Sequence, residues 1–380
     1  MLEVETVDRI LRVRGDGLPV LSLYARFDPD DRRAFPSRVD EQLHEVRLLL
    51  KDPALNRDAR LSLRGDVARI EEAVTEERLH PQAVAFFSCS GRDLFEDVEL
   101  PRPVHDRLVT DETAWVRPLV AVLDEYHRCR VVLVDRGLAR FFDLYQDELV
   151  ERGGPLRDRA LRKPDYAAGM REHTTQNKAE LLAKRHYRAV AERLDEEARR
   201  HEFDIVAVGG HEHEIPEFLD HLPAAVRERV AGTFSVHPRE DDLGTIRGRA
   251  EEVVQRYERA EEQRLVAETL ERCAAGGLAV AGLPDCLWAG ATAAVGQLLV
   301  QDEVVQPGLV CDTDGYLAVE GERCPVCGRE LRRTPDVIDE LVQAVIDEGG
   351  GVEHVEADTP LREHVTAASL RFPLPARPAS

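Results

Sequence analysis

Short apolar runs of strand length alternate along this chain with stretches whose leucines, valines and alanines fall three and four apart, and that alternation marks sheets covered by helices. Leu18 to Phe27 alternates apolar and polar positions like a half-buried strand until the Asp-rich DPDDRR breaks it. Helical spacing follows over residues 39–51 and 61–79, and Ala83 to Ser88 reads as a buried strand. With 380 residues the chain exceeds one ordinary core. The expected fold class is α/β, as three α/β domains in series spanning residues 1–111, 112–238 and 239–380.

The middle segment opens with a helix over Thr113 to Tyr126, then strands at Arg130 to Asp135 and Leu138 to Leu144. Residues 153–173 carry glycines, prolines and charges without periodicity, which predicts a long exposed loop. Gln176 to Arg200 is read as a helix with Ala183, Tyr187, Val190, Leu194 and Ala198 on one face and Lys178, Lys184, Arg185 and Arg188 roughly opposite. Phe203 to Val208 is a buried strand, Gly209-Gly210 a turn, Ile215 to Leu222 a short helix and Thr233 to Val236 a strand, which gives a mixed sheet with helices over it. A long charged helix, Asp242 to Ala274, leads to the last segment. There the pattern predicts strand 277–281, helix 286–298, strand 303–309, a cysteine-bearing insert, helix 335–348 and strand 351–355.

Composition narrows the function. No apolar run reaches the roughly 18 to 20 residues that span a bilayer, and MLEVETVDRI has no basic segment followed by an apolar one, so a cytoplasmic protein without a membrane partner is expected. Seven cysteines, at 89, 129, 273, 286, 311, 324 and 327, are too scattered for a disulfide scaffold. A net charge of -22 repels phosphate on average, so any RNA contact has to be local.

One segment has the opposite sign. From Arg152 to Arg188 there are ten Arg or Lys against four Asp or Glu. Arg157, Arg159, Arg162, Lys163, Arg171, His173, Lys178, Lys184, Arg185 and Arg188 are the candidate RNA contacts, and a merely solvated helix face is the competing reading. His173-Thr174-Thr175-Gln176 ends the loop. It serves either as a helix cap through its threonine hydroxyls or as a tip whose glutamine amide orders a water beside an ester.

Cys311-x2-Asp314 and Cys324-x2-Cys327, each followed by a glycine, have the spacing of paired knuckles that hold zinc tetrahedrally, with Asp314 in the place of a fourth thiol. Structural zinc and an eroded ribbon folding without metal both stay open. Asp312 and His354 are more distant substitutes. Gly209-Gly210-His211-Glu212-His213 reads as a simple turn rather than an anion or metal site. No serine elbow, metalloprotease helix, kinase set or phosphate loop occurs.

In this order the segments resemble the archaeal and eukaryotic peptide chain release factor and Pelota superfamily, in its bacterial branch. RVVLVDRGLARFFDL, the loop and NKAELLAKRHYRAVAERL are similar to the family's catalytic domain, and GLPDCLWAGATAAVGQLLV, the cysteine insert, DVIDELVQAVIDEGGGVEHV and TAASLRFPL to its third domain. The resemblance implies a third domain folded like kink-turn-binding ribosomal proteins, with a zinc-ribbon-like insert. It sets Gln176 at or beside the catalytic glutamine, with Thr174 and Thr175 where two glycines belong. Neither the Asn-Ile-Lys-Ser nor the Tyr-x-Cys codon-reading signature is present. The resemblance therefore implies a factor that occupies the A site of idle or stalled 70S ribosomes and contacts ribosomal RNA without reading stop codons. Hibernation factors among the bacterial members provide the parallel. Its GTPase partner would be elongation factor Tu or a relative. The alternative is a rescue factor that hydrolyses peptidyl-tRNA through Gln176.

Overall fold

The computed structural model describes the chain except residues 1–3, 28–30, 32, 76–80, 101–103, 125–126, 146–147, 158–171, 303 and 378–380. The fold is mixed α/β, with three main sheets and a small ribbon sheet, in two compact units: residues 1–125 with 262–380, and residues 126–261.

The first unit opens with α1 (Val4–Leu11), β1 (Val20–Arg26), α2 (Ala34–Leu49), α3 (Arg57–Ala73), β2 (Ala83–Cys89), β3 (Leu94–Leu100), β4 (Arg107–Asp111) and α4 (Arg117–Asp124). Its antiparallel sheet has the order β3-β2-β1-β4. Leu21, Leu23, Val84 and Phe86 pack against Val39, Leu43, Leu63 and Ile70 of the two long helices, each such side chain contributing about 1.5–3 kcal/mol on burial. The other sheet face seats Trp115, whose ring meets Tyr24 edge-on at 5.3 Å. The helix expected over 113–126 starts only at Arg117, because Trp115 lies extended under the sheet, with its N–H donating to Ser22 Oγ (2.9 Å) and its carbonyl accepting from Tyr24 Oη (2.8 Å).

The second unit contains β5 (Cys129–Val134), β6 (Leu138–Tyr145), β7 (Glu148–Glu151), β8 (Leu156–Arg157), α5 (Glu172–Arg199), β9 (Ile205–Gly210), α6 (Ile215–Leu219), α7 (Ala224–Arg227), β10 (Val230–Ser235) and the first part of α8 (Leu243–Ala274). In the order β10-β9-β5-β6-β7, the first three strands are parallel and the rest antiparallel. Val132 and Val134 face Tyr187, Val190 and Leu194 of α5, while Val131 and Leu133 face Ile246, Ala250 and Val253 of α8. Period-two strands thus bury both faces of one sheet.

Gly209 and Gly210 are not a turn but the last residues of β9. A Cβ on Gly209 would come within 2.6 Å of Leu133 and of the Phe234 ring, and one on Gly210 within 2.5 Å of the Val134 carbonyl oxygen. Close packing between strands selects glycine here, and in sequence that looks the same as a turn.

The chain returns to the first unit through the end of α8, then β11 (Ala279–Ala281), α9 (Leu283–Ala291), β12 (Val295–Gln301), β13 (Gly308–Val310), β14 (Leu317–Ala318), β15 (Arg332–Thr334), α10 (Val337–Asp347), β16 (Gly351–Val355), α11 (Leu361–His364) and β17 (Thr366–Leu370). The main sheet has the order β11-β17-β12-β16, and the ribbon sheet β14-β13-β15. The helix expected over 286–298 is two elements. Ala293, at φ +53°, ends α9, and the Val295–Gln301 run becomes the central strand β12. A continuous apolar run fits a buried strand as well as a buried helix, so periodicity could not separate them. The strand expected over 303–309 is confined to Gly308–Val310. Among the described residues no helix is long and apolar enough to cross a membrane.

Candidate functional site

Two constellations carry potential chemistry: the cationic face of α5 and the Cys/Asp knuckles of the ribbon.

Helix α5 begins at Glu172, so the backbone of His173 to Gln176 forms its first turn instead of a loop tip. Of the candidate contacts, Arg159, Arg162, Lys163 and Arg171 lie outside the described residues, as do the side chains of His173, Gln176 and Lys178. The remaining four are exposed: Arg157 on β8, and Lys184, Arg185 and Arg188 on α5. Helical spacing puts the α5 trio on one stripe, opposite the buried Ala183, Tyr187, Val190 and Leu194. Further along the same helix the cations are engaged. Arg193 reaches Glu197 at 2.9 Å and lies 3.7 Å over the Phe141 ring centroid, and Arg199 pairs with Asp195. The first half of the described face therefore presents cations outward, and the second half uses them in the fold.

In the ribbon, β13 runs directly into Cys311. The backbone then folds back so that Gly315 N–H donates to the Cys311 carbonyl (2.9 Å) and Cys311 N–H to that of Tyr316 (2.8 Å). The second knuckle repeats this, with Gly328 N–H to the Cys324 carbonyl (2.8 Å) and Cys324 N–H to that of Arg329 (2.7 Å). Gly315 and Gly328 both have φ near +70°, which explains a glycine after each pair. The two turns bring the ligand atoms of Cys311, Asp314, Cys324 and Cys327 within 4.8 Å of one another. Cys311 Sγ and Cys327 Sγ are 3.5 Å apart, and Cys324 Sγ lies 3.2 and 3.3 Å from the Asp314 oxygens. A tetrahedral ion with metal–sulfur bonds of about 2.3 Å needs neighbouring ligands roughly 3.6–3.8 Å apart, so this donor set fits a metal with little adjustment.

Burial acts to raise the Asp314 carboxyl, but hydrogen bonds from Cys327, Cys311 and Cys324 prevail and hold it at about 2. The same bond to Asp314 pushes the Cys327 thiol up to about 12. Val326 N–H points at Cys324 Sγ (3.4 Å), the kind of backbone donor that settles a thiolate. The distant substitutes are excluded from the cluster. Asp312 bonds Arg332 (3.0 Å), and His354 is buried on β16.

Two groupings escaped the sequence. His211 and His213 do share one place, with ring centroids 5.9 Å apart, and the exit of β10 adds His237 at 5.0 Å from His211. Around the ribbon, Arg332 bonds Asp111, and Arg117 bonds Asp336 at 3.1 Å, pairs roughly 220 residues apart that no local signal announces.

Residues 115–270 match the model of family 10 of the bacterial archaeo-eukaryotic release factors. No curated protein matches the chain. Among solved structures, the crystal structure of the archaeal translation termination factor aRF1 is similar at 17% identity over 97% of this chain and 96% of that one, with a TM-score of 0.27. A model of ribosome-bound archaeal Pelota and ABCE1 aligns at 16% identity over 98% and 96%, TM-score 0.42. Dom34 of S. cerevisiae, described as a translation termination-like factor involved in RNA quality control pathways and interacting with Hbs1, aligns at 13% identity over 74% and 75%, TM-score 0.40.

Proposed function

We propose that this chain, whose residues 115–270 match the family 10 model of the bacterial archaeo-eukaryotic release factors, is a ribosome-associated translation factor that occupies the A site of idle or stalled 70S ribosomes. Its role there is protection. It contacts large-subunit RNA through the stretch from Arg157 to Arg188, and its C-terminal domain faces a translational GTPase of the elongation factor Tu type.

The observation that carries this reading is the exposed trio Lys184, Arg185 and Arg188 on a chain of net charge -22. Such a molecule approaches phosphate only where a local patch reverses its field. The threonines at 174 and 175 weigh against hydrolysis, since a β-branched residue takes up the backbone conformations open to glycine only at a steric cost. The Cys311/Asp314/Cys324/Cys327 cluster holds a structural zinc ion that fixes the ribbon fold and takes no part in chemistry.

Cosedimentation with 70S particles at low salt tests the proposal. Binding that weakens steeply as salt rises supports it, and absence from the ribosomal pellet, with and without elongation factor Tu, overturns it.

A further inference from the structure

We propose that the metal in the ribbon controls how firmly the C-terminal lobe of the first unit (residues 262–380) holds its N-terminal lobe (residues 1–125), with Arg332 as the link; this rests on the metal reading above.

The ribbon has almost no apolar core of its own. At the knuckles the buried cluster is Cys311, Cys324 and Leu331, with Leu309 and Tyr316 packed beside them, while Val310 and Leu317 of the ribbon strands pack into the C-terminal core. So small a cluster cannot order the ribbon's loops against their conformational entropy, so bound metal has to supply the difference. The first knuckle and the strand that follows the second then meet in one charged knot. Asp312 directly follows the ligand Cys311, and Arg332 sits on β15, paired with Val310 of β13.

Arg332 contacts Asp312 at 3.0 Å and Glu340 at 2.8 Å within the C-terminal lobe, and crosses to Asp111 at the end of β4 at 2.5 Å, with Glu112 at 3.8 Å. Thr334, also on β15, donates to the other oxygen of Asp111 at 2.8 Å. One guanidinium thus stands among four carboxylates, two of which, Asp111 and Glu340, are about nine-tenths buried. Removing it leaves like charges facing each other out of water, which drives the two lobes apart at this point.

A second contact between the same lobes does not use the ribbon. Asp339 on α10 accepts from the N–H groups of Val116 (3.1 Å) and Arg117 (2.8 Å), Asp336 holds the Arg117 guanidinium at 3.1 Å, and Gln343 donates to the Ala114 carbonyl at 2.9 Å. Helix α10 is anchored through Ile338, Leu341 and Val342 in the C-terminal core. Loss of metal therefore frees one half of the junction and spares the other.

Hydrogen exchange of the full chain, read by mass spectrometry on peptides covering residues 107–113 and 114–119, separates the two halves. Among the described strands β4 is an edge strand bonded to β1, so its amides report fraying at the Asp111 end. Metal content is measured on the same samples. Stripping zinc with a strong chelator should speed exchange over 107–113 by tenfold or more, leave 114–119 within twofold, and reverse on zinc addition. Unchanged exchange over 107–113 after verified metal loss overturns the coupling while the metal site stands. Protein that neither carries nor takes up zinc overturns both. Because stripping could unfold the ribbon more widely, Arg332→Met is the second arm. It should keep stoichiometric zinc yet exchange over 107–113 like the stripped protein, and wild-type protection there removes Arg332 as the link.

Discussion

Asp314 stands where a fourth thiol would complete the candidate ligand set, and a carboxylate is a weaker, harder ligand than a thiolate. Asp314→Cys should therefore tighten zinc by tenfold or more in a competition with a chelating dye, and Asp314→Ala should weaken it by at least as much. Gln176 separates protection from rescue. If the chain protects ribosomes without chemistry, stalled complexes carrying labelled peptide release none on its addition, and Gln176→Ala changes nothing. His354 gives a prediction about acid. Burial pushes its imidazole down to about 3, well below the usual 6.5, so the folded state holds it neutral and the unfolded chain protonates first as pH falls. That contribution is intact above about pH 6.5 and is lost progressively toward pH 3, at about 1.4 kcal/mol per pH unit. Urea unfolding at pH 7 and pH 5 should show the loss, and His354→Leu should flatten the slope.

The packing of β9 against its neighbours depends on two missing side chains. Gly209→Ala should lower stability by about 1–3 kcal/mol, because the added methyl meets Leu133 and Phe234 and neither can move far in the core. Thermal denaturation of that variant checks it. At this scale much was legible in the sequence. Apolar runs of strand length located β1, β2, β5 and β6, and three-four spacing located α2, α3, α5, α8 and α10 with ends displaced by up to about six residues. The unread elements have physical reasons. β3 and β4 are charged strands with little alternation, β12 is hidden in an unbroken apolar run, and the Gly209-Gly210 pair looks the same whether it turns or packs. The knuckles were legible because spacing along the chain determines their ligands. Arg332, Asp336 and Asp339 were not, because their partners are remote in sequence and nothing local about an arginine or aspartate says it will be buried.

On the scale of the whole molecule, the charge distribution sets what the chain can approach. A net charge of -22 works against general binding to nucleic acid, so the RNA contact proposed above requires a local cationic face. α5 supplies one by burying Tyr187, Val190 and Leu194 against the sheet, which turns Lys184, Arg185 and Arg188 outward. Charge reversal of all three leaves that core untouched, so the variant should fold with wild-type circular dichroism. The measurement to make is pelleting of the purified protein with 70S ribosomes at low salt, wild type beside Lys184→Glu/Arg185→Glu/Arg188→Glu. The wild type should pellet, with the variant's apparent affinity at least tenfold weaker and its salt dependence shallower. Equal pelleting of both proteins, or of neither, would contradict the proposed contact.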